Sequence, residues 1–151
     1  LKFNIMSEAI DLHTEIKEKV LKIFSENDAV TVATTGGELS PWAAGAYFAT
    51  DDLKIYLLLE THGKSFANIK ENRHVAVCIS KNDAMKDFLQ ASGKAVILSD
   101  SEEPEVRELI VKKMPWFKTY TPVTPVRIDV KKFYVSSFES SWFPAKELEV
   151  S

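Results

Sequence analysis

Residues 53–60 read Leu-Lys-Ile-Tyr-Leu-Leu-Leu-Glu, a nearly continuous apolar run, and this stretch decides the fold. An apolar run of this length predicts a β-strand that is buried on both faces. Asp51-Asp52 before it predicts a turn. After it comes Thr61-His62-Gly63-Lys64-Ser65, and a short helix is predicted over residues 66–72. A buried central strand therefore leads directly into a polar loop and a helix.

Five further strands are predicted from apolar or alternating runs, over residues 29–34, 39–50, 74–80, 88–98 and 125–138. Gly36-Gly37 predicts a hairpin between the first two of these strands. Gly93 predicts a bulge or a close backbone approach inside its strand. Six strands joined mostly by tight turns cannot leave their apolar faces and edges open, so we expect a closed or partly closed antiparallel barrel.

Two longer helices are predicted outside the strand-rich half. Residues 7–24 have apolar side chains at helical spacing, and Ser7 is a candidate N-cap. A second helix is expected to begin near Asp100-Ser101, with Pro104 in its first turn, and to stop or kink at Pro115. The tail, residues 139–151, has no clear hydrophobic period, and no helix or strand is predicted there.

Length and composition indicate one globular domain over residues 1–151. Of the 151 residues, 45% are hydrophobic and 27% charged, and the net charge is −3. This balance gives no support for nucleic-acid binding, and no apolar run is long enough to span a membrane. With no signal peptide evident and Cys78 as the one cysteine, a cytoplasmic location is expected. Residues 1–5, ahead of Met6-Ser7, are expected to be an extension or a tag remnant.

The sequence does not support a metal site or a nucleophilic thiol. His13, His62 and His74 are scattered and lack neighbours at ligand spacing. Cys78 lies among apolar strand residues, where a free cysteine commonly acts as a small buried hydrophobe. We therefore expect no metal, and we nominate no residue as a catalytic acid, base or nucleophile.

The segment 61–65 has two interpretations. Thr61, Ser65 and Lys64 at the start of a helix could hold a phosphate monoester, because a helix N-terminus offers free N–H groups and a positive dipole end. Alternatively, Thr61 or Ser65 caps the helix and Lys64 faces water. His62 lies next to this position, and its ordinary role would be a hydrogen bond within the loop.

Gln90 is a polar side chain within the apolar strand predicted over residues 88–98. Strand alternation favours solvent as its partner, and a polar ligand is the other option. Aromatic residues also concentrate in the strand-rich half, where they serve equally as core or as a surface for a planar cofactor.

Taken in order, these segments resemble the flavin-binding split barrels related to pyridoxamine 5′-phosphate oxidase. The resemblance covers residues 29–98. It rests on a basic residue before the short helix, Lys64, followed by Asn72-Arg73-His74-Val75-Ala76 and later by Gln90-Ala91-Ser92-Gly93. It implies a mainly β protein with peripheral helices (α+β), built as a six-stranded antiparallel split β-barrel.

The resemblance also implies a non-covalently bound FMN at a homodimer interface, with some contacts from the partner subunit. In this reading Lys64 and Ser65 hold the phosphate and Gln90 reaches the polar edge of the flavin. The residues implied to lie along the flavin ring are Trp42, Ala43, Ala44, Leu58 and Leu59. Thr61 and His62 complete the expected cofactor-binding set.

The chain departs from the true oxidase at two places. No basic residue occurs in residues 42–46, where that enzyme has a phosphate-binding arginine, and no Arg or His follows Trp142. Oxidation of pyridoxamine phosphate is therefore not expected. The expected function is an FMN-dependent oxidoreductase that moves hydride or electrons between a reduced nicotinamide or a small organic donor and an unknown acceptor. The alternatives are a non-catalytic flavin or haem carrier or sensor of the same fold, and a small β-barrel interaction module with no cofactor. A deazaflavin is a further cofactor option.

Overall fold

The computed structural model describes residues 2–151, and it describes side-chain surroundings from residue 11 onward. The helices are Lys2–Glu26 (α1), Lys64–Glu71 (α2) and Glu103–Lys113 (α3), the last preceded by a 3₁₀ turn, Asp100–Glu102. The strands are Ala29–Thr34 (β1), Trp42–Asp51 (β2), Lys54–Glu60 (β3), His74–Ile79 (β4), Phe88–Ile97 (β5), Val123–Ser137 (β6) and Trp142–Glu149 (β7). The six strands predicted from the sequence are all present.

The strands form one antiparallel sheet in the order β3-β2-β1-β4-β5-β6-β7. Strand β3 also pairs with β6, from Ile55 opposite Ile128 to Glu60 opposite Val123, and this pairing closes β1 to β6 into a barrel. Strand β7 lies outside the closed barrel as an extra strand on β6. The predicted class, a mainly β six-stranded antiparallel barrel with peripheral helices, is confirmed.

The structure corrects three local expectations. The tail is not irregular, because β7 occupies most of it; only Leu148 of this edge strand is buried, and Pro144 is tolerated at an edge. Helix α1 begins at Lys2, so Ser7 lies within the helix and does not cap it. Helix α2 begins at Lys64, two residues earlier than predicted. The expected extension begins at Leu1, which lies outside the described residues.

The main core fills the barrel and is covered on one side by α1. Phe24 of α1 makes edge-to-face contacts with Phe48 and Phe133, at ring-centroid distances of 6.0 and 5.9 Å. Ile16, Val20 and Ile23 lie on the same buried stripe of the helix. A fully buried apolar side chain of this size contributes roughly 1.5–3 kcal/mol, so burial of this face holds α1 on the barrel.

A second, smaller core lies between α3 and the outer face of β2 and β3. It contains Ala49 and Leu58 from the strands, with Val106, Ile110 and Met114 from the helix. Strand β3 is therefore covered on both faces, as its apolar run predicts. The arrangement also places the end of α3 beside the end of β3.

Two lysines fasten α1 to the rest of the chain. Lys113 at the end of α3 donates to the carbonyls of Phe24 and Asn27, at 3.1 and 2.6 Å. Burial lowers the pKa of Lys113, against the opposing charge of Asp28. Lys19 forms an ion pair with Asp87 at 2.9 Å, with both side chains largely buried.

The predicted irregularity at Gly93 is confirmed. The register between β5 and β6 shifts between Ser92 and Gly93. A Cβ atom at Gly93 would lie 2.4 Å from the carbonyl oxygen of Asp129 on β6. Only glycine therefore allows the two backbones to approach this closely.

Candidate functional site

The barrel is split between β2 and β3. Their pairing extends only from Asp51 opposite Lys54 to Phe48 opposite Leu57. Beyond that point residues 42–47 of β2 stay paired with β1, and residues 58–60 of β3 stay paired with β6. Within residues 2–151 no strand pairs with the two edges that face each other here. Backbone groups along these edges are thus free to bind another molecule.

A cleft of about 610 Å³ opens at this split, a volume within the usual range for small-molecule sites. Its walls come from both separated strands, from the start of α2 and from the segment between α3 and β6. Seven of the ten predicted cofactor-binding residues line it: Trp42, Ala44, Leu58, Leu59, His62, Lys64 and Ser65. The structure therefore brings most of the predicted set into one place.

The other three predicted residues do not line the cleft. Ala43 is opposite Ala33 of β1, and its side chain is on the other face of β2 from Trp42 and Ala44. The Thr61 hydroxyl lies 2.8 Å from the Thr124 hydroxyl, and this contact holds the β3–α2 turn against β6. Gln90 lines a separate hollow on the outside of the barrel.

The N-terminus of α2 is open to the cleft. Its N-cap is Gly63, and no side chain caps the helix. The alternative in which Thr61 or Ser65 caps the helix is therefore wrong. A Cβ atom at Gly63 would meet the Glu60 carbonyl oxygen and Cβ at 3.2 Å, so glycine keeps this turn tight. The first N–H groups of α2 remain available, beside the exposed Lys64 and the half-buried Ser65.

A buried amide holds α2 in this position. Asn68 is only 2% exposed, and its Nδ2 donates to the Thr34 hydroxyl at 3.0 Å and to the Leu39 carbonyl at 2.7 Å. The loop between β1 and β2 packs closely on this side chain, because a Cβ atom at Gly37 would lie 2.0 Å from Asn68 Oδ1. The hairpin glycines predicted from the sequence thus also make room for the helix that borders the cleft.

The segment 115–122, which we call the connector, forms a further wall that sequence reasoning missed. It joins α3 to β6 and contributes Phe117, Lys118, Thr119, Tyr120 and Thr121 to the cleft. Its aromatic residues in an otherwise polar, proline-flanked stretch were the available signal. Lys118 adds a second cation to the cleft, while Glu60 of β3 is its acidic lining residue.

The outer face of β1, β2 and β4 is built from small side chains. Thr31 lies opposite Gly45 and Cys78, and Ala33 lies opposite Ala43 and Ala76. We call these six residues the small-residue face. Gln90 of β5 is opposite Cys78 and borders this face. Burial raises the pKa of the Cys78 thiol, which makes it a poorer nucleophile.

Two features are absent from the part of the chain that the structure describes. In that part no group of three or more His, Cys, Asp or Glu residues could hold a metal ion. Among the described helices, none is long and apolar enough to cross a membrane.

The sequence and the fold were compared with those of known proteins. The sequence model of the pyridoxamine 5′-phosphate oxidase family matches residues 16–134. The chain belongs to this family. The match includes the whole closed barrel up to Tyr134 of β6, together with the cleft residues named above. A search among curated proteins finds no match.

Solved structures of other proteins share this fold at low sequence identity. A Listeria innocua protein provisionally named a pyridoxamine 5′-phosphate oxidase is 21% identical, with a TM-score of 0.66 over 80% of this chain and 97% of its own. A heme-binding protein of Mycobacterium smegmatis is 13% identical, with a TM-score of 0.72 over 88% of this chain and 57% of its own. HutZ, a heme storage protein of Vibrio cholerae, is 14% identical, with a TM-score of 0.65 over 78% of this chain and 92% of its own.

Proposed function

We propose that the protein binds FMN in the cleft and acts as an oxidoreductase on a small organic substrate. The observation that carries this proposal is the split between β2 and β3, where two unpaired strand edges face one another across an apolar-walled cleft. The polar edge of a flavin ring carries carbonyl and ring-nitrogen groups. These can replace the backbone partners that each strand lacks here.

The residues present fit the two chemically different ends of FMN. Ala44, Leu58 and Trp42 give the ring an apolar surface. At the other end, the uncapped N-terminus of α2 offers N–H groups to a phosphate, and Lys64 and Ser65 add a charge and a hydroxyl. When bound, FMN supplies the capacity to accept and release a hydride or single electrons. The chain itself binds, orients and desolvates the ring.

We further propose that the working unit is a homodimer. The small-residue face has no large side chains, so a second β-sheet can approach it closely. Gln90 lies beside that face and outside the cleft of its own chain. We therefore propose that Gln90 of the partner subunit reaches the edge of the flavin. A monomer in solution that binds FMN at full affinity would contradict this assignment. The single thiol, Cys78, fits the reducing cytoplasm that we propose as the location.

Haem is the second candidate, favoured by one specific observation. His62 lines the cleft, and haem iron takes His as an axial ligand. Structural neighbours of this chain include a heme-binding and a heme storage protein. In this alternative the protein stores or carries haem and catalyses no reaction. Replacing His62 by Ala would then shift and broaden the Soret band of the bound haem and weaken haem binding more than FMN binding.

Reconstitution with each cofactor tests the proposal. The purified chain is expected to bind FMN and to release it on denaturation, as followed by the flavin absorption bands. Lys64→Ala should weaken FMN binding about ten- to hundredfold, since a charged hydrogen bond is worth roughly 1.5–3 kcal/mol. The matched control is Lys70→Ala, at the other end of the same helix. A protein that takes up no FMN, or equal losses in both variants, would refute the proposed site. NAD(P)H-dependent bleaching of the bound flavin then separates an enzyme from a carrier.

A further inference from the structure

The connector crosses the cleft from one separated strand to the other. At its start, the Trp116 ring packs edge-on against Tyr47 of β2, with ring centroids 4.9 Å apart. At its end, the Pro122 carbonyl accepts a hydrogen bond from the Thr61 backbone N–H at 3.0 Å. The connector therefore bridges β2 and the end of β3, just where the barrel is split.

Helix α3 holds the connector in this path. Arg107 donates to the Thr119 hydroxyl at 3.0 Å, and an ion pair with Glu103 orients the same guanidinium group. The Phe117 backbone N–H donates to the Met114 carbonyl at 2.9 Å, which continues the end of the helix into the connector. A wall anchored in this way presents its side chains without a large ordering cost on binding.

These side chains are unusually apolar for an exposed position. Tyr120 is 90% exposed, Trp116 55% and Tyr47 46%. Exposed aromatic groups gathered beside a cleft mark a binding surface more often than isolated ones do. Flat rings favour a flat, aromatic ligand, because stacked and edge-to-face arrangements of aromatic groups are stabilising.

The charge of the cleft selects an anion. Lys118 lies between Phe117 and Tyr120 in the sequence, and it lines the cleft together with Lys64. Glu60 is the acidic residue in the same lining. Since Lys64 is assigned to the cofactor phosphate, Lys118 is the cation left for a second ligand.

We propose that the connector and Tyr47 form a substrate subsite that binds a planar aromatic anion, with Lys118 pairing with its negative group. That this ligand is a substrate rests on the proposed function, whereas its binding to the connector and Tyr47 does not. The aromatic side chains recognise the ring, and Lys118 favours the anion over cationic and neutral analogues of the same shape. The proposal assigns different residues of the cleft to the two ligands: the start of α2 holds the cofactor phosphate, and the connector with Tyr47 holds the substrate.

Three small probes test the subsite: 4-hydroxybenzoate, its neutral amide 4-hydroxybenzamide, and the non-aromatic anion cyclohexanecarboxylate. Their binding is measured by ligand-observed NMR titration on the protein with and without FMN. Wild type is expected to bind 4-hydroxybenzoate about fivefold more tightly than either analogue. The amide lacks the partly exposed ion pair and cyclohexanecarboxylate lacks the aromatic contact, and each of these interactions is worth about that factor in affinity.

Two variants and a matched control separate the contributions. Lys118→Met should weaken 4-hydroxybenzoate about fivefold and leave the amide unchanged, and Tyr120→Ala should weaken both aromatic probes. Lys112→Met, an exposed lysine of α3 outside the cleft, should change neither. FMN affinity should be the same in all three variants and should fall only in Lys64→Ala.

The outcomes keep this proposal distinct from the assignment of FMN. Failure of wild type to take up FMN refutes the proposed function, and probe binding to the same protein still decides the subsite. The subsite is refuted if wild type binds no 4-hydroxybenzoate at millimolar concentration. A second copy of the chain that covers the connector would give this result. The subsite is equally refuted if Lys118→Met weakens the acid and the amide alike, or if Lys112→Met matches it.

Discussion

Asn68 is the buried amide that joins α2 to the first hairpin, and its replacement tests how the cleft is built. Its two donated hydrogen bonds, to the Thr34 hydroxyl and the Leu39 carbonyl, are its only means of satisfying the amide nitrogen. Both bonds cross from the helix to the β1–β2 hairpin, at sequence separations of 34 and 29 residues. Their loss therefore affects the placement of α2 more than its helicity.

The magnitude follows from the geometry. Asn68→Ala removes two hydrogen bonds worth roughly 0.5–1.5 kcal/mol each and leaves the buried Thr34 hydroxyl without this donor, so a loss of about 2–4 kcal/mol in the free energy of unfolding is expected. FMN affinity should fall as well, because Lys64 and the open N–H groups lie one turn away on the same helix. Urea unfolding followed by fluorescence measures the first effect, and flavin titration measures the second.

Asn68→Asp sharpens the test through its pH dependence. The introduced carboxylate only accepts hydrogen bonds, yet it would face the Leu39 carbonyl, which also only accepts. Burial then raises its pKa in the folded state above the unfolded value of about 3.9. The variant should thus be most stable below the unfolded pKa and lose stability as the pH rises through the folded pKa.

The control is Glu71→Gln, at an exposed position near the end of α2. It should change stability by less than about 0.5 kcal/mol. The reasoning would be wrong if Asn68→Ala unfolded within 0.5 kcal/mol of wild type. It would also be wrong if Asn68→Asp showed no gain in stability on acidification relative to wild type.

Three further predictions concern the frame around the cleft. Gly93→Ala should cost about 1–3 kcal/mol in urea unfolding, because the new Cβ would meet the Asp129 carbonyl at 2.4 Å; an unchanged midpoint would contradict the observed bulge. Lys113→Met should cost a similar 1–3 kcal/mol, because it removes the donor that the Phe24 and Asn27 carbonyls share, and thermal melts should rank it below Lys112→Met. Burial alone would raise the pKa of Asp87, but hydrogen bonds from Ser137 and Lys19 and the charge of Lys19 outweigh burial and lower this pKa below 3.8. The Lys19–Asp87 pair therefore stabilises the fold fully above that value. Its contribution is lost as the pH falls through the pKa of Asp87 in the folded state. Asp87→Asn should remove that acid-sensitive part of the stability curve, and parallel curves for variant and wild type would argue against it.

Local sequence was sufficient for most of the barrel. The apolar run at residues 53–60, the alternation in β6 and the glycine and aspartate turns are properties of short segments, so six strands and their order were predictable. Strand β7 was not, because an edge strand with one buried side chain, Leu148, has no period to detect. Its existence depends on pairing with β6, which lies outside its own residues.

The candidate site divides in the same way. Lys64, Ser65 and the strand residues before them were identified as a unit, because they are neighbours in sequence and carry the family pattern. Thr61 satisfied the same pattern, yet its hydroxyl contacts Thr124, which is 63 residues away. The aromatic residues of the connector were a visible signal, but residues 115–122 alone do not reveal that they lie against Tyr47, and the connector was missed for that reason.

The amino-acid sequence by itself determined which segments become strands and where an anionic group could be held, since hydrophobic period, turn residues and a lysine before a short helix act over a few residues. Only the tertiary structure decided that β2 and β3 separate after Phe48 and Leu57. It also decided that the connector closes over that gap and that Gln90 faces away from it. The physical reason is that strand pairing and side-chain facing depend on contacts between distant residues, whose free energies no local pattern contains.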